Sequence, residues 1–218
     1  MSLKAILFDA GDILYHRDRQ NDTLVKFLAS HGLPPYSRDA VSVELQRRAY
    51  VAEITKEEHH EELLKHLGIS DPQAIAEGVT AMNDVQGEVI FFDGVAETLH
   101  RLKALGLSLA IVTNTFNSTE DKLDWFSRIG IEGLWDGIAN SCELKISKPD
   151  PKIYLAALEP TGATAAEAAF VGHAAYELEA AKALGMTTIT FNRDSPDVTA
   201  DHVANRFEEL AEIAGVLS

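Results

Sequence analysis

After Gly87, the chain alternates short apolar runs with segments of helical spacing, and this alternation limits the fold more than any other feature. The apolar runs cover 107–113, 169–172 and 186–191, and helical segments between them end at glycines. Strands that alternate with helices are joined by right-handed crossovers, so the pattern predicts a parallel sheet with helices on both faces. The run at 4–8 is long enough for another strand buried on both faces. We therefore expect an α/β fold with a doubly wound parallel sheet.

The segment 16–87, between the first predicted strand and the alternating region, shows no strand pattern. It contains four helix-start signals, in which a side chain can accept hydrogen bonds from the first helical turn. These signals are Asp22, Ser37, the pair Thr55 and Glu58, and Asp71 before Pro72. They predict a small helical bundle that overhangs the carboxyl ends of the sheet. We therefore divide the chain into an α/β core, residues 1–15 and 88–218, and a helical cap, residues 16–87.

Charge and composition exclude several classes of partner. The net charge of −15 repels nucleic acid and anionic membranes, so we expect a small-molecule substrate, no nucleic acid and no membrane. The start of the chain shows no export pattern, and the single cysteine, Cys142, excludes an intramolecular disulfide. Both observations favour a cytoplasmic protein. For the oligomeric state, we expect either a monomer or a homodimer. His59 and His60 lie in the acidic segment 53–62 and are expected on its solvated face.

Polar side chains recur where the predicted strands end. Asp9 ends the first strand, Thr113 and Asn114 end the second, and later loops carry Lys148 and Glu177. In a doubly wound sheet such loops converge on one crevice. This set suits nucleophilic attack by Asp9 on an electrophile that carries negative oxygens. Thr113 and Asn114 would donate hydrogen bonds to those oxygens, and Lys148 would neutralise charge on the nucleophile and the transition state.

Taken in order, the motifs at the strand ends resemble those of the haloacid dehalogenase (HAD) superfamily. The motifs are Asp9 with Leu14, Thr113-Asn114, Ser141 and Glu143 before Lys148-Pro149-Asp150-Pro151, and Val171-Gly172 before an Ala-Lys-Ala-Leu-Gly-Met tail. The resemblance spans the whole chain. It implies a Rossmann-like core, an aspartyl-ester intermediate and a cap that opens and closes over the substrate. In most members of the family the reaction is phosphate-ester hydrolysis with Mg²⁺.

Position 11 departs from the phosphatase form of the first motif. Phosphatases of the family carry a second aspartate there, which protonates the leaving group and then activates water, whereas this chain has Gly11. The neighbouring Asp12 is expected to point elsewhere, because adjacent side chains of an extended segment diverge. His16 is a candidate replacement, because histidine as a residue type can serve as a general acid or base. Backbone N–H groups of Ala10 and Gly11 are expected to assist in binding the transferred group.

Position 173 departs from the phosphatase pattern as well. Phosphatases have an aspartate there that holds Mg²⁺, whereas this chain has His173, and Mg²⁺ prefers oxygen ligands. Glu177 matches the second acidic position of that motif. Asp9, Glu177 and His173 would therefore form at most a weak metal site, and the alternative for His173 is a neutral histidine hydrogen-bonded in its loop.

Both departures resemble the dehalogenase branch of the family, in which a halide leaves without a proton and no metal is used. That branch binds the substrate with a cap arginine, for which Arg17, Arg47 and Arg48 are candidates. We assign Arg17 to substrate binding, and expect Arg47 and Arg48 on a solvated helix face. Our interpretation is a HAD-like hydrolase of a small phosphorylated metabolite, with atypical acid/base and metal motifs. The alternatives are a metal-independent 2-haloacid dehalogenase and a catalytically weak binding protein.

Overall fold

The computed structural model describes residues 2–217 of the chain, except the side chains of residues 19–21. Its strands are β1 (Ala5–Phe8), β2 (Tyr15–His16), β3 (Ile90–Phe91), β4 (Ser108–Thr113), β5 (Gly137–Asn140), β6 (Ala168–Gly172), β7 (Thr187–Thr190) and β8 (His202–Val203). Six strands form one parallel sheet in the order β5-β4-β1-β6-β7-β8, and β2 pairs antiparallel with β3. The parallel sheet confirms the predicted α/β fold. The sequence pattern predicts neither the β2-β3 ribbon nor β8.

The helices of the described chain lie on both faces of the sheet and in the inserted segment. They are α1 (Asp18–Ser30), α2 (Ala40–Tyr50), α3 (Lys56–His66), α4 (Pro72–Asp84), α5 (Val95–Ala104), α6 (Thr119–Ser127), α7 (Ser141–Leu144), α8 (Pro151–Leu158), α9 (Ala175–Ala183) and α10 (Glu209–Leu217). On one face of the sheet, the apolar core includes side chains of α5, α6 and α10. On the other face, it includes side chains of α8 and α9.

Strand β1 lies at the centre of the sheet and is buried on both faces. Ile6 and Phe8 belong to the first apolar core, and Ala5 and Leu7 belong to the second. All four side chains are fully buried, and each of the larger ones stabilises the fold by roughly 1.5–3 kcal/mol. The carboxyl end of β1 is therefore flanked by the ends of β4 and β6, which places the residue after β1 at the middle of the crevice.

Helices α1 to α4 pack around an apolar cluster of their own, which includes Leu28, Leu45 and Leu64. Helices α3 and α4 begin where the sequence predicts, with Thr55 and Asp71 as N-caps. Helices α1 and α2 begin elsewhere. The first helical residue of α1 is Asp18 rather than a residue after Asp22, and α2 begins at Ala40 with a capping box between Asp39 and Ser42, not at Ser37.

The loop after β4 inserts Phe116 into this helical cluster. The Phe116 ring centroid lies 5.3 Å from that of His59 and 5.8 Å from that of His60. Both histidines are buried, His60 completely. Their predicted placement on a solvated face is therefore wrong, because an aromatic ring from the α/β region covers them.

The β2-β3 ribbon pairs Tyr15 with Phe91 and His16 with Ile90. The chain therefore leaves the sheet region and returns to it through one pair of strands. This ribbon supports the division into an α/β core (1–15 and 88–218) and a cap (16–87), which remains a proposal. Among the described residues, every helix is too short or too polar to cross a membrane.

Candidate active site

Asp9 directly follows β1 at the centre of the sheet. Its backbone N–H donates to the carbonyl of Val171 in β6 at 3.0 Å, and only 6% of its surface is exposed. Its Oδ1 accepts the backbone N–H of Ala10 at 2.7 Å. The N–H of Ala10, which the sequence assigns to the transferred group, is thus bonded to the side chain of Asp9. The candidate nucleophile is a buried carboxyl group fixed at the meeting point of two central strands.

Lys148 joins Asp9 to Glu177 in the first turn of α9. Its Nζ lies 2.7 Å from Oδ1 of Asp9 and 3.0 Å from Oε1 of Glu177, and its side chain is 1% exposed. Asn114, which follows β4, holds the backbone of Lys148. The N–H of Lys148 donates to Asn114 Oδ1 at 2.8 Å, and Asn114 Nδ2 donates to the carbonyl of Lys148 at 3.2 Å. The structure thus brings together four predicted site residues, namely Asp9, Lys148, Glu177 and Asn114. The side-chain amide of Asn114 is hydrogen-bonded to the backbone of Lys148.

These ion pairs set the protonation of the nucleophile. Burial alone would raise the pKa of Asp9, but the charges of Lys148 and His173 hold it far below its usual range. Burial alone would lower the pKa of Lys148, but the carboxylates of Asp9 and Glu177 raise it. Asp9 is therefore a carboxylate, and Lys148 an ammonium, at neutral pH. Burial and the negative charge of Asp9 raise the pKa of Glu177.

His173, in the loop after β6, lies between two carboxylates. Its Nε2 is 3.3 Å from Oδ2 of Asp9, and its Nδ1 is 2.5 Å from Oδ1 of Asp194. Burial would lower the pKa of His173, but the two carboxylates outweigh it and raise the pKa to about 9. The two carboxylates therefore favour the imidazolium form of His173 at neutral pH over the neutral loop histidine of the alternative interpretation.

Asp9, His173 and Glu177 each offer a ligand atom within 4.8 Å of the other two, so they are the candidate metal ligands. Mg²⁺ takes six ligands in octahedral geometry, prefers oxygen, and usually keeps several waters. Here Lys148 already lies between the two carboxylates, and His173 offers an imidazole nitrogen instead of an oxygen. In the described structure, Oε2 of Glu177 is the one buried oxygen of this cluster without a hydrogen-bond partner. The residues present do not fit Mg²⁺.

Asp12 lines the same cavity as Asp9, whereas the sequence predicts that it points elsewhere. The expectation assumes an extended backbone, whereas Asp12 has a φ of 58°, in the left-handed region. The N–H of Asp12 donates to the carbonyl of Tyr15 at 2.8 Å, and Asn192 Nδ2 donates to the carbonyl of Asp12 at 2.8 Å. Burial raises the pKa of Asp12, and the negative charge of Asp9 adds to this rise. The structure therefore offers a carboxyl group with raised pKa beside Gly11.

Two adjoining cavities open around these groups. The catalytic cavity, of about 290 Å³, is lined by Asp9, Lys148, His173, Glu177 and Asp194 among others. The lateral cavity, of about 280 Å³, is lined by Tyr15, His16, Arg17, Thr113 and Lys122 among others. The shared lining residues are Gly11, Asp12, Gln46, Tyr50 and Asn114. The two cavities are therefore halves of one crevice.

The predicted residues Thr113, Arg17 and His16 line the lateral cavity rather than the catalytic one. Thr113 is 1% exposed at the end of β4. His16 lies on β2, with its Nδ1 2.9 Å from Oδ1 of Asp18. Gly11 lines both cavities, and a Cβ added there would meet no atom within 4 Å. Position 11 thus has room for the side chain that the phosphatase motif carries.

The helical segment contributes residues that the sequence does not single out. Arg38 lines the catalytic cavity, and its Nη2 donates to Oε1 of Gln46 at 2.9 Å. The available signal was the position of Arg38 just before the N-cap of α2. Arg47 pairs with Glu44 and Glu53, and Arg48 pairs with Glu62. Neither Arg47 nor Arg48 lines the two cavities.

Comparison with known proteins agrees with this geometry. The chain is 27% identical over 223 residues to the glyceraldehyde 3-phosphate phosphatase of Methanocaldococcus jannaschii, covering 97% of this chain and 96% of that protein. It is 28% identical over 134 residues to (S)-2-haloacid dehalogenase 4A of Burkholderia cepacia, covering 60% of this chain and 57% of that protein. A predicted phosphoglycolate phosphatase from Haemophilus somnus 129PT shares the fold, with a TM-score of 0.73, 20% identity and 98% of both chains covered. Residues 11–191 match the family model described as haloacid dehalogenase-like hydrolase, and the chain therefore belongs to this family of hydrolases.

Proposed function

We propose that the protein hydrolyses a phosphate monoester of a small metabolite through an ester formed on Asp9. The observation that carries this proposal is the geometry at Asp9, a buried carboxyl group 2.7 Å from Lys148 Nζ and 3.3 Å from His173 Nε2, whose positive charges lower its pKa. A buried carboxylate beside an open cavity is a competent nucleophile. Relatives named as glyceraldehyde 3-phosphate and phosphoglycolate phosphatases support phosphate as the transferred group.

In the first step, Asp9 attacks phosphorus. Its Oδ1 is held by Lys148 and by the N–H of Ala10, whereas Oδ2 has one longer contact, to His173. We therefore assign the attack to Oδ2. The Oδ2–phosphorus bond forms as the bond between phosphorus and the leaving oxygen breaks. Lys148 and His173 place two positive charges beside the phosphoryl oxygens, where negative charge develops.

Asp12 supplies the proton for the leaving oxygen. It lines both cavities, and burial together with the negative charge of Asp9 raises its pKa, which is the direction that suits a general acid. The ionised Asp12 then takes a proton from the water that attacks the aspartyl phosphate. One water is consumed, an alcohol and phosphate are released, and Asp9 returns to its carboxylate. Since the donor set does not fit Mg²⁺, the positive charges of Lys148 and His173 take over charge neutralisation in this proposal.

A second candidate function is hydrolysis of a carbon–halide bond. It is favoured by Gly11, which leaves the position of the phosphatase acid without a carboxyl group, and by a relative named as a 2-haloacid dehalogenase. Oδ2 of Asp9 would displace halide from carbon, and water would hydrolyse the resulting ester to a hydroxy acid. Halide needs no proton to leave, so Asp12 would have no role in the first step.

The two candidates are separated by one set of assays. Phosphate release from p-nitrophenyl phosphate is measured with Mg²⁺ and with chelator, and halide release is measured from 2-chloropropionate. Asp9→Asn is the control for both assays. Chelator-insensitive phosphate release that Asp9→Asn abolishes supports the proposal. Halide release without phosphate release overturns it in favour of the second candidate, and no turnover of either substrate rejects both.

A further inference from the structure

Two cations, the buried Lys122 and the half-buried Arg17, line the lateral cavity, apart from the ion pairs at Asp9. Lys122, on α6, is 1% exposed, and its Nζ donates to the hydroxyl oxygen of Tyr15 at 2.8 Å. Arg17 Nη2 donates to the same oxygen at 3.3 Å. The guanidinium carbon of Arg17 lies 5.1 Å from the ring centroid of Trp125, and Lys122 Nζ lies 5.5 Å from it. Two side chains of like charge thus converge on one phenol.

This cluster contains more hydrogen-bond donors than acceptors among the described residues. Lys122 has three N–H donors, of which the Tyr15 oxygen takes one. In the described structure, Nε of Arg17 is buried without a hydrogen-bond partner, and neither cation forms an ion pair with a described carboxylate. The Tyr15 oxygen already accepts two hydrogen bonds, so its own hydrogen needs an acceptor as well. A negatively charged group in the cavity would satisfy all three side chains.

The electrostatic setting supports the same conclusion. Burial of an unpaired ammonium is strongly unfavourable, and burial lowers the pKa of Lys122 below its usual value. The chain as a whole carries a net charge of −15, so two cations without a described carboxylate partner in the lateral cavity are a marked local exception. Contacts with the rings of Tyr15 and Trp125 stabilise the cations only in part, because cation–π contacts are weaker than ion pairs with an anion.

We propose that Arg17, Lys122 and Tyr15 form an anion subsite for an oxyanion at the end of the substrate that is not transferred. The inference rests on the proposed function for the identity of the transferred group. The lateral cavity has room for a carboxylate or phosphate group, and it adjoins the catalytic cavity through shared walls. A small substrate with two anionic groups can therefore reach Asp9 with one end and Lys122 with the other.

The first test compares two phosphate esters that differ in one group. The carboxylate of 2-phosphoglycolate replaces the methyl group of ethyl phosphate. We expect the wild type to prefer 2-phosphoglycolate by about 10- to 100-fold in kcat/KM, mainly through KM, as hydrogen bonds to a charged group imply. Lys122→Met, which keeps the stem and removes the charge, and Arg17→Gln should each lose most of this preference. Lys152→Met, a change of an exposed lysine on α8, should keep it.

The second test needs no turnover. Acetate and inorganic phosphate are titrated into Asp9→Asn/Trp135→Phe protein, in which Trp125 is the remaining tryptophan and reports by fluorescence. We expect saturable binding that adding Lys122→Met or Arg17→Gln weakens at least tenfold, with thermal unfolding as the control for folding. Stronger acetate binding identifies a carboxylate as the natural group, and stronger phosphate binding identifies a second phosphate.

The outcomes separate the two proposals. Phosphate release with no preference between the two esters, together with anion binding that ignores position 122, overturns the subsite and leaves the proposed function standing. Anion binding that depends on Lys122, without phosphate release from either ester, supports the subsite and overturns the proposed function.

Discussion

The imidazole of His173 bridges Asp9 and Asp194, with its Nε2 3.3 Å from Oδ2 of Asp9 and its Nδ1 2.5 Å from Oδ1 of Asp194. The first carboxylate is buried and the second is exposed. The bridge therefore places the positive charge of His173 beside the nucleophile. The exposed carboxylate of Asp194 compensates that charge from the protein surface. It occupies the loop position at which Mg²⁺-dependent phosphatases of the family carry an aspartate.

The His173 bridge should make stability depend on pH. The pKa of His173 rises from 6.5 to about 9 on folding, so its contribution is fully present below pH 6.5 and is lost as pH rises through 9. The maximum contribution is about 3 kcal/mol, at 1.36 kcal/mol per pKa unit. Urea unfolding should show that the free energy of unfolding falls more between pH 6 and pH 9.5 in the wild type than in His173→Gln. An equal loss in both proteins would show that the imidazole is not held as a cation.

The role of Asp12 as general acid predicts an effect that depends on the leaving group. Asp12→Asn should lower kcat about 10²- to 10⁴-fold for an alkyl phosphate, whose leaving oxygen needs a proton. With p-nitrophenyl phosphate, which has a good leaving group, kcat should fall far less. The ratio of the two rates in wild type and variant is the measurement. A uniform loss on both substrates would assign Asp12 to structure or binding instead.

Gly11 leads to a rescue experiment. Because a Cβ at this position meets no atom within 4 Å and the residue has no positive φ, Gly11→Asp should fold with stability within about 0.5 kcal/mol of the wild type. In the Asp12→Asn background, the new carboxyl group should raise the rate of alkyl phosphate hydrolysis at least tenfold over that of Asp12→Asn alone. Gly11→Ala in the same background is the matched control and should restore nothing.

Asn114 should act through Lys148. Its amide makes two hydrogen bonds with the backbone of Lys148, at 2.8 Å and 3.2 Å. Asn114→Ala should cost about 1–3 kcal/mol of stability, because the partners are left without hydrogen bonds, and should lower kcat more than it changes KM. Asn114→Asp keeps the acceptor for the N–H of Lys148 but removes the donor, so an intermediate effect is expected. A change confined to KM would instead indicate direct contact with the substrate.

The groups brought together at the sheet edge were predictable because topology alone places them there. Asp9, Asn114 and Lys148 each follow a strand, and parallel strands present their carboxyl ends on one side. The register of the sheet then determines the distances. The sequence also predicts the capping box that begins α3 and the N-cap that begins α4, because these signals are local.

The remaining features depend on one backbone angle or on long-range packing. Asp12 faces the cavity because its φ is 58°, and no motif encodes that angle for a residue other than glycine. Arg38 precedes α2 in the inserted helical segment, and it lines the site only because of how that segment packs against the rest of the chain. Burial of Lys122 against Tyr15 joins residues 107 positions apart. Sequence spacing carries no direct information on such contacts.

The buried histidines of α3 predict a loss of stability in acid. Burial lowers the pKa of both His59 and His60 from 6.5 to about 4. For a base with a lowered pKa, folding favours the neutral form, so the stabilisation is complete above pH 6.5 and is lost as pH falls towards 4. Each histidine accounts for at most about 3 kcal/mol of this loss. Urea unfolding at pH 7.5 and pH 4.5 should show a smaller loss for His60→Leu than for the wild type. His100→Leu, a change of an exposed histidine on α5, should behave like the wild type, and equal losses in all three proteins would refute the assignment.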